Sequence, residues 1–153
     1  MVHILENLRQ MYDYVLVDID KRLDETNLDV ISSADIVFVV MTADLSCLKN
    51  VRLVLETMAQ LGVENERVQL VLNRSTAYTG ISAKHAEGAL KRKISHQVVN
   101  EYRAAISALN SGAPFVVTKP DSTVGKSVLD FVKAIDKSSV EQAGTVRAAA
   151  ASA

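Results

Sequence analysis

The stretch ADIVFVVMTADLSCLKNVRLVLETMAQLGVENERVQLVLNR, residues 34–74, decides the fold of this 153-residue chain. It contains two short apolar runs rich in β-branched residues, Ile36–Met41 and Val68–Leu72. Between them, apolar residues recur at spacings of three and four from Leu45 to Leu61, and Gly62 follows as a helix stop. Continuous apolar runs joined by an amphipathic helix are typical of strands that are buried on both faces of a parallel sheet.

The same alternation of periods continues on both sides of this stretch. Apolar runs predict further strands at Tyr14–Val17 and Phe115–Val117, and a weaker run lies at Gln97–Val99. Helical spacing predicts helices around Leu5–Met11, Thr26–Ser33, Ser82–Lys91, Tyr102–Asn110 and Val124–Ile135, the last with Asp121 or Ser122 as its N-cap. The sequence therefore predicts the α/β class, with a mostly parallel sheet flanked by helices.

Composition limits the organisation of the chain and its compartment. The length predicts a single α/β domain over residues 1–137, and the alanine-rich residues 138–153 read as a disordered tail. With 17 basic and 18 acidic residues there is no global electrostatic reason to expect a nucleic-acid partner. One cysteine, no secretory leader and no apolar run of transmembrane length predict a cytoplasmic protein.

Asp18 is the first residue that could carry chemistry. It ends the apolar run YVLV, and the carboxyl edge of a parallel sheet is where ligands of open α/β folds bind. A carboxylate at that edge can hold Mg²⁺, usually through water, beside the phosphates of a nucleotide. The alternative is that Asp18 only begins the next loop or caps the helix near Thr26.

Asn73 and Arg74 follow another predicted strand in the motif VLNR. The amide of Asn73 can donate and accept at once, which suits the edge of an adenine ring. Arg74 could stack on that ring or hold a phosphate. Both are also ordinary residues for a loop after a strand, and the pattern alone leaves the two interpretations open.

Taken in order, these segments resemble the C-terminal half of MinD/ParA-type P-loop ATPases, and more closely their CpaE/TadZ pilus-assembly branch. The resemblance rests on YDYVLVDID ending at Asp20, on D-L-x-x-L-x-N-x-R-L at Asp44–Leu53, on VLNR, and on N-E-Y-R-A at Asn100–Ala104 leading to A-x-N-x-G-x-P. It covers nearly all of residues 12–136.

The resemblance implies roles for particular residues and partners. Asp18 would lie near Mg²⁺ as the Walker B carboxylate, Asn73 would bind the adenine of ATP with Arg74 beside it, and Val99, Asn100 and Glu101 would line the base pocket. It also implies a homodimer that works with proteins of a Flp-type pilus or secretion assembly at the cell pole. No nucleic-acid partner is expected, and membrane association would come only through partners.

The sequence departs from this family where the phosphates would bind. No complete G-x-x-x-x-G-K-[ST] loop occurs in the chain, and PDSTVGKS at Pro120–Ser127 places proline, which has no N–H, where the first glycine is needed. We interpret that match as chance and expect GKS to begin the last helix. After Asp18 the loop continues with Ile19-Asp20-Lys21-Arg22, and Asp20 would either assist the metal or repel phosphate.

These departures set the functional expectations. In the family the phosphate-loop strand lies between the strand that ends at Asp18 and Ile36–Met41. We therefore expect a fragment of a longer protein, although the two strands could pair directly or another copy could fill the gap. The leading hypothesis is that the chain is a CpaE/TadZ-like component of pilus assembly. This hypothesis assigns no catalytic residue to the chain and leaves its status as an enzyme open. The alternatives are a non-catalytic interaction module on an ATPase-like sheet and a MinD/ParA-type partitioning ATPase.

Overall fold

The computed structural model describes residues 2–20, 22 and 24–136, and the predicted tail at 138–153 lies outside them. Three strands run over Val37–Met41 (β1), Val68–Leu72 (β2) and Ile94–Gln97 (β3). The helices are α1 at Val2–Met11, α2 at Glu25–Ser33, α3 at Leu45–Gln60, α4 at Ala83–Leu90, α5 at Tyr102–Ser111, α6 at Phe115–Thr118 and α7 at residues 123–136, with a 3₁₀ turn at Asn65–Arg67. None of the helices described is long and apolar enough to span a bilayer.

The three strands form one sheet in the order β1-β2-β3, and β2 pairs with β3 in parallel. Leu70 pairs with Ile94, and after a register shift Leu72 pairs with Gln97. Leu70 and Leu72 of the central strand are almost completely buried, as the continuous apolar run predicts. The predicted α/β class with a parallel sheet flanked by helices is confirmed.

Local signals define helix ends at three positions, and two of them, Gly62 after α3 and the cap of α7, were predicted as such. Gly62 has φ +76° just after α3, a left-handed conformation that ends the helix with little strain. Ser82 caps α4 because its side chain accepts a hydrogen bond from the backbone N–H of His85. Of the two candidate caps for α7, Ser122 is the residue whose Oγ accepts from the N–H of Gly125, at 3.1 Å.

The chain divides into two compact units, and the first comprises residues 1–39 and 52–69. Its buried cluster contains Ile31, Met58, Val63 and Val68, with partly buried apolar neighbours that include Val37 and Val54. Arg67 donates to the carbonyls of Ile31, Ser32 and Ala34 at the end of α2. A guanidinium at a helix C-terminus satisfies carbonyls that the helix itself cannot pair, so Arg67 fixes the end of α2.

The second unit comprises residues 40–51 and those from 70 onward. Its buried apolar residues come from both strands and helices: Met41, Ala43, Leu48, Val51, Leu70, Val71, Leu72, Ala86, Ala104 and Val124. Among the described residues no buried polar side-chain atom is left without a hydrogen-bond partner. This unit holds the loops that follow β1, β2 and β3, which are the loops that matter for the site.

The strand predicted at Tyr14–Val17 is absent, and this prediction is wrong. Residues 12–20 belong to no strand, and Leu16 is 88% exposed. An apolar run forms a strand only where neighbouring strands take up its backbone hydrogen bonds and a helix layer covers its side chains. Direct pairing of this run with β1, one of the three arrangements considered, does not occur either.

Two other strand predictions are corrected. Phe115–Val117 lies in α6, whose backbone bonds are local: the N–H groups of Val117 and Thr118 both donate to the carbonyl of Pro114. The weak run at Gln97–Val99 is displaced, because β3 spans Ile94–Gln97 and ends where that run begins. As an edge strand β3 alternates half-buried and exposed residues, so its sequence carries no continuous apolar run.

The PDSTVGKS segment forms no phosphate-binding loop. Gly125, Lys126 and Ser127 lie within α7, and the element before this helix is α6 rather than a strand. Gly125 is needed for close packing, since a Cβ placed there would lie 2.7 Å from the carbonyl oxygens of both Lys119 and Pro120. The glycine therefore serves the turn into α7.

This contact predicts a stability difference between two helical glycines. Gly125→Ala should lower the free energy of unfolding by about 1–3 kcal/mol, because backbone atoms must shift to admit the methyl group. Gly88→Ala in α4 should raise it by about 0.5–1 kcal/mol, because a Cβ there meets nothing within 4 Å and alanine favours a helix. Urea denaturation of both variants measures the difference, and equal effects would contradict the packing role of Gly125.

A second prediction concerns pH. His96 of β3 packs on Phe131 of α7 with ring centroids 4.5 Å apart, and burial lowers the pKa of His96 below its usual 6.5. The unfolded chain therefore binds the proton more readily, so the stabilisation is complete above about pH 6.5 and is lost as the pH falls below that value. Urea denaturation between pH 5 and 8 should show that the free energy of unfolding depends less steeply on pH in His96→Gln than in the unsubstituted chain. An unchanged slope for His96→Gln would contradict this assignment.

Candidate functional site

The loops that follow β2 and β3 are joined by backbone hydrogen bonds beyond the ends of the strands. The N–H of Val98 donates to the carbonyl of Leu72, and the N–H of Ser75 donates to the carbonyl of Val98, both at 2.9 Å. The two loops are therefore held together at the carboxyl edge of the sheet, where open α/β folds bind ligands.

Asn73 is placed by two further contacts. Its backbone N–H donates to the carbonyl of Met41 at 2.8 Å, which ties it to the end of β1. Its side-chain Oδ1 accepts from the N–H of Arg74 at 2.9 Å. Because Oδ1 is occupied, the Nδ2 group of the exposed Asn73 remains as a donor for a ligand.

Arg74 has a left-handed backbone conformation, with φ +55°. This conformation is unfavourable for a residue that has a Cβ, and the side-chain oxygen of Asn73 bonds the same peptide unit. The exposed Arg74 therefore turns the chain directly after the central strand, at the predicted site. Strained residues of this kind are concentrated at functional sites.

Residues Val99–Glu101 lie in the second loop, and two side chains from elsewhere in the second unit contact their backbone. Thr76 accepts from the N–H of Asn100 at 3.0 Å. Ser127 Oγ lies 3.4 Å from the N–H of Val99, a long contact. Thr76 and Ser127 were not among the predicted site residues. A hydroxyl four residues after the end of β2 is a weak signal for Thr76, and no local pattern points to Ser127.

Glu101 has a role that the sequence did not indicate. Its Oε2 accepts from the N–H of Val124 at 3.0 Å, in the first turn of α7. A carboxylate at a helix N-terminus satisfies a free N–H group and interacts favourably with the helix dipole. Glu101 thus anchors the second loop to α7, and one of its carboxylate oxygens is occupied by this bond.

The two loops together offer both hydrogen-bond donors and acceptors to a ligand. Asn73 offers a side-chain donor, and within the described residues no hydrogen bond occupies the carbonyls of Val99 and Asn100. A donor beside carbonyl acceptors complements the adenine edge, which has an amino group next to a ring nitrogen. The structure therefore brings five of the predicted site residues into one pair of loops: Asn73, Arg74, Val99, Asn100 and Glu101.

Asp18, the sixth predicted residue, belongs to the first unit and is exposed. It does not cap α2, because Asp24 is the residue whose side chain accepts from the N–H of Asn27. Asp20 bonds both the backbone N–H and the side-chain Nε of Arg22, and these bonds lower the pKa of its carboxyl. No group of three or more potential metal ligands occurs in the described part of the chain.

Asp44, which begins the motif run Asp44–Leu53, has a structural role. It accepts from the hydroxyl of Thr42 at 2.5 Å and from the N–H of Cys47 at 2.9 Å, and these two bonds lower its pKa. It therefore caps α3 directly after β1. The thiol of Cys47 is half-buried and lies 3.3 Å from the N–H of Thr42, which agrees with a packing role.

No protein-family model matches this chain, and no curated protein matches its sequence. Solved structures do match. A ParA family ATPase from Chlorobium tepidum TLS superposes with a TM-score of 0.79 at 23% identity, over 84% of this chain and 53% of that one. MinD in the MinC:MinD cell division protein complex of Aquifex aeolicus superposes with a TM-score of 0.76 at 18% identity, over 88% of this chain and 57% of that one. MinD complexed with Mg-ADP from Pyrococcus horikoshii OT3 superposes with a TM-score of 0.74 at 19% identity, over 88% of this chain and 55% of that one.

The chain thus spans a little over half the length of each of these structures, with 53% to 57% covered. At this level of identity the likeness establishes the fold. Over the part that it shares with them, the chain has the fold of ParA- and MinD-type P-loop ATPases.

The left-handed residue in the first loop generates a prediction. Arg74→Gly should raise the free energy of unfolding by about 0.5–1 kcal/mol, because glycine adopts a positive φ without strain. Lys91→Gly is the matched control, since Lys91 ends α4 with φ +52° and lies outside the site. Equilibrium denaturation should show similar gains for both. A loss for Arg74→Gly alone would mean that the arginine side chain stabilises the loop.

Proposed function

We propose that this chain carries the base-binding half of a MinD/ParA-type ATPase and binds the adenine of ATP between the loops after β2 and β3. The observation that carries the proposal is the joining of these loops by the backbone bonds of Val98 and Ser75, which hold together the two segments that contain Asn73 and Val99–Glu101. In this proposal Asn73 donates to a ring nitrogen of adenine, and a carbonyl of Val99 or Asn100 accepts from its amino group. Arg74 lies over the ring or beside a phosphate.

The proposal includes ATP and Mg²⁺ as ligands. One MinD neighbour is described as complexed with Mg-ADP, which supports this pair of ligands for proteins of this fold. Asp18 is exposed and, as a carboxylate, is suited to hold Mg²⁺ through water. The GKS segment lies within α7, so these three residues form no loop for the phosphates of ATP.

At a finer level we propose a CpaE/TadZ-like component of Flp-type pilus assembly, acting as a homodimer near the cell pole. This step is supported by the sequence resemblance at Asp44–Leu53 and Asn100–Ala104. The MinC:MinD complex among the neighbours supports a protein partner in general. A MinD/ParA-type partitioning role would need a different partner, and the formal charge of −1 does not favour nucleic acid.

The second candidate function is a non-catalytic protein-interaction module. Two observations favour it. Four large hydrophobic side chains of the segment 12–17 are exposed, namely Tyr12, Tyr14, Leu16 and Val17, and Asp20 is already bonded by Arg22. Exposed apolar residues mark interaction surfaces when they are grouped along one segment. Such a module would keep the sheet and have no need of the Asn73 donor.

Asn73→Asp separates these candidates. The aspartate retains an oxygen for the N–H of Arg74 but loses the amide donor, so the loop persists while binding of Mg-ATP weakens by at least about tenfold. Isothermal titration calorimetry measures the change. Asn110→Asp, on the exposed end of α5, is the matched control because it adds the same charge away from the site.

The outcomes are distinct for the two candidates. Weaker binding by Asn73→Asp and unchanged binding by Asn110→Asp would support the base site. Equal loss in both variants would assign the effect to charge. The absence of nucleotide binding by the unsubstituted chain would overturn the proposed function and favour the interaction module.

A further inference from the structure

Thr76 is the side chain that joins the two loops of the site. Its Oγ1 accepts from the N–H of Asn100 at 3.0 Å, across 24 residues of sequence. The neighbouring bonds between the loops are made by backbone atoms alone, from Val98 to Leu72 and from Ser75 to Val98. The contact of Thr76 is therefore the inter-loop bond at this edge that a side-chain substitution can remove without changing the backbone.

The bond has a chemical consequence for the second loop. A backbone N–H that already donates to a hydroxyl is not available to a ligand. The N–H of Asn100 is occupied by Thr76, and the N–H of Val99 faces Ser127 at 3.4 Å. Within the described residues, the carbonyls of Val99 and Asn100 accept no hydrogen bond. Towards a ligand, this loop therefore presents acceptors.

We propose that Thr76 is a positioning residue that gives the loop at 98–101 its acceptor character, and so its preference for a base whose facing group is an amine. This inference rests on the proposed function. The exocyclic amino group of adenine can donate a hydrogen bond to a loop carbonyl. Guanine has a carbonyl oxygen at the same ring position, and two acceptor oxygens facing each other form no hydrogen bond. When the hydroxyl of Thr76 is removed, the N–H of Asn100 becomes free to donate to a base carbonyl. The loss of affinity for a base with a carbonyl at this position then becomes smaller.

The test compares ADP with GDP, each with Mg²⁺, on the full chain by calorimetry. The unsubstituted chain should bind ADP at least about tenfold more tightly than GDP. Thr76→Val, which keeps the shape of threonine and removes the hydroxyl, should lower this ratio by about threefold to tenfold. Thr76→Ser should restore it. Thr79→Val is the matched control, because the hydroxyl of Thr79 donates to the carbonyl of Ile81 within its own loop.

Amide hydrogen exchange of the ligand-free chain gives a readout that needs no nucleotide. Exchange at the N–H of Asn100 should become faster in Thr76→Val and in Thr76→Ala, and should be slow again in Thr76→Ser. Unchanged exchange at Asn100 would overturn the proposal whatever the chain binds. An unchanged ratio of ADP to GDP affinity in Thr76→Val would overturn it as well.

The same data separate this inference from the proposed function. If the unsubstituted chain binds neither nucleotide, the proposed function fails and the base preference fails with it, even where exchange confirms the contact. If the chain binds ADP and loses affinity through Asn73→Asp, but Thr76→Val keeps the full preference for ADP, only the role of Thr76 fails.

Discussion

The parallel pairing of β2 with β3 continues past the strands as bonds between their loops, and the candidate site depends on this continuation. Val98 donates to Leu72, and its own carbonyl accepts from Ser75. The burial of Leu70 and Leu72 fixes the central strand, because a shift of one residue would turn apolar side chains away from the core. The positions of Asn73 and Asn100 therefore follow from the packing of apolar side chains one or two residues away.

The turn after β2 shows how this constraint is combined with local strain. Asn73 is held to β1 by its backbone and bonds the N–H of Arg74 through its side chain, and Arg74 adopts a positive φ. A single left-handed residue is unfavourable by roughly 1 kcal/mol, which the bonds around it can offset. Such a turn reverses the chain direction in few residues. As a result, Ser75 and Thr76 face the loop after β3 instead of moving away from it.

Much of the fold could be predicted because its signals are local. The period of α3, its end at Gly62 and the cap at Ser82 each involve residues within one or two turns of the helix. The failures have another cause. The run at Tyr14–Val17 has the composition of a strand, but whether it forms one depends on neighbours elsewhere in space. The edge strand β3 alternates half-buried and exposed residues, which reads as a weak signal.

For the site, the predicted residues fall into two groups. Asn73 and Arg74 follow a buried strand, so their place at the sheet edge could be predicted from the pattern, whereas Val99–Glu101 were identified by resemblance alone. Thr76 and Ser127 could not be predicted, because each acts through one bond to the backbone of a loop that is 24 or 28 residues away. Contacts between a side chain and a distant backbone leave no period in a sequence.

The arrangement also separates two tasks of nucleotide recognition. Phosphates are held by charge and by arrays of backbone N–H groups, and these contacts are the same for every nucleotide. The base is distinguished by a few hydrogen bonds whose donors and acceptors must be in fixed positions. In this chain the bonds that position the two loops are all made within the second unit, by Val98, Ser75 and Thr76. The proposed function therefore assigns the preference among bases to contacts that need no phosphate, and a ratio of affinities tests it more directly than the affinity for one nucleotide.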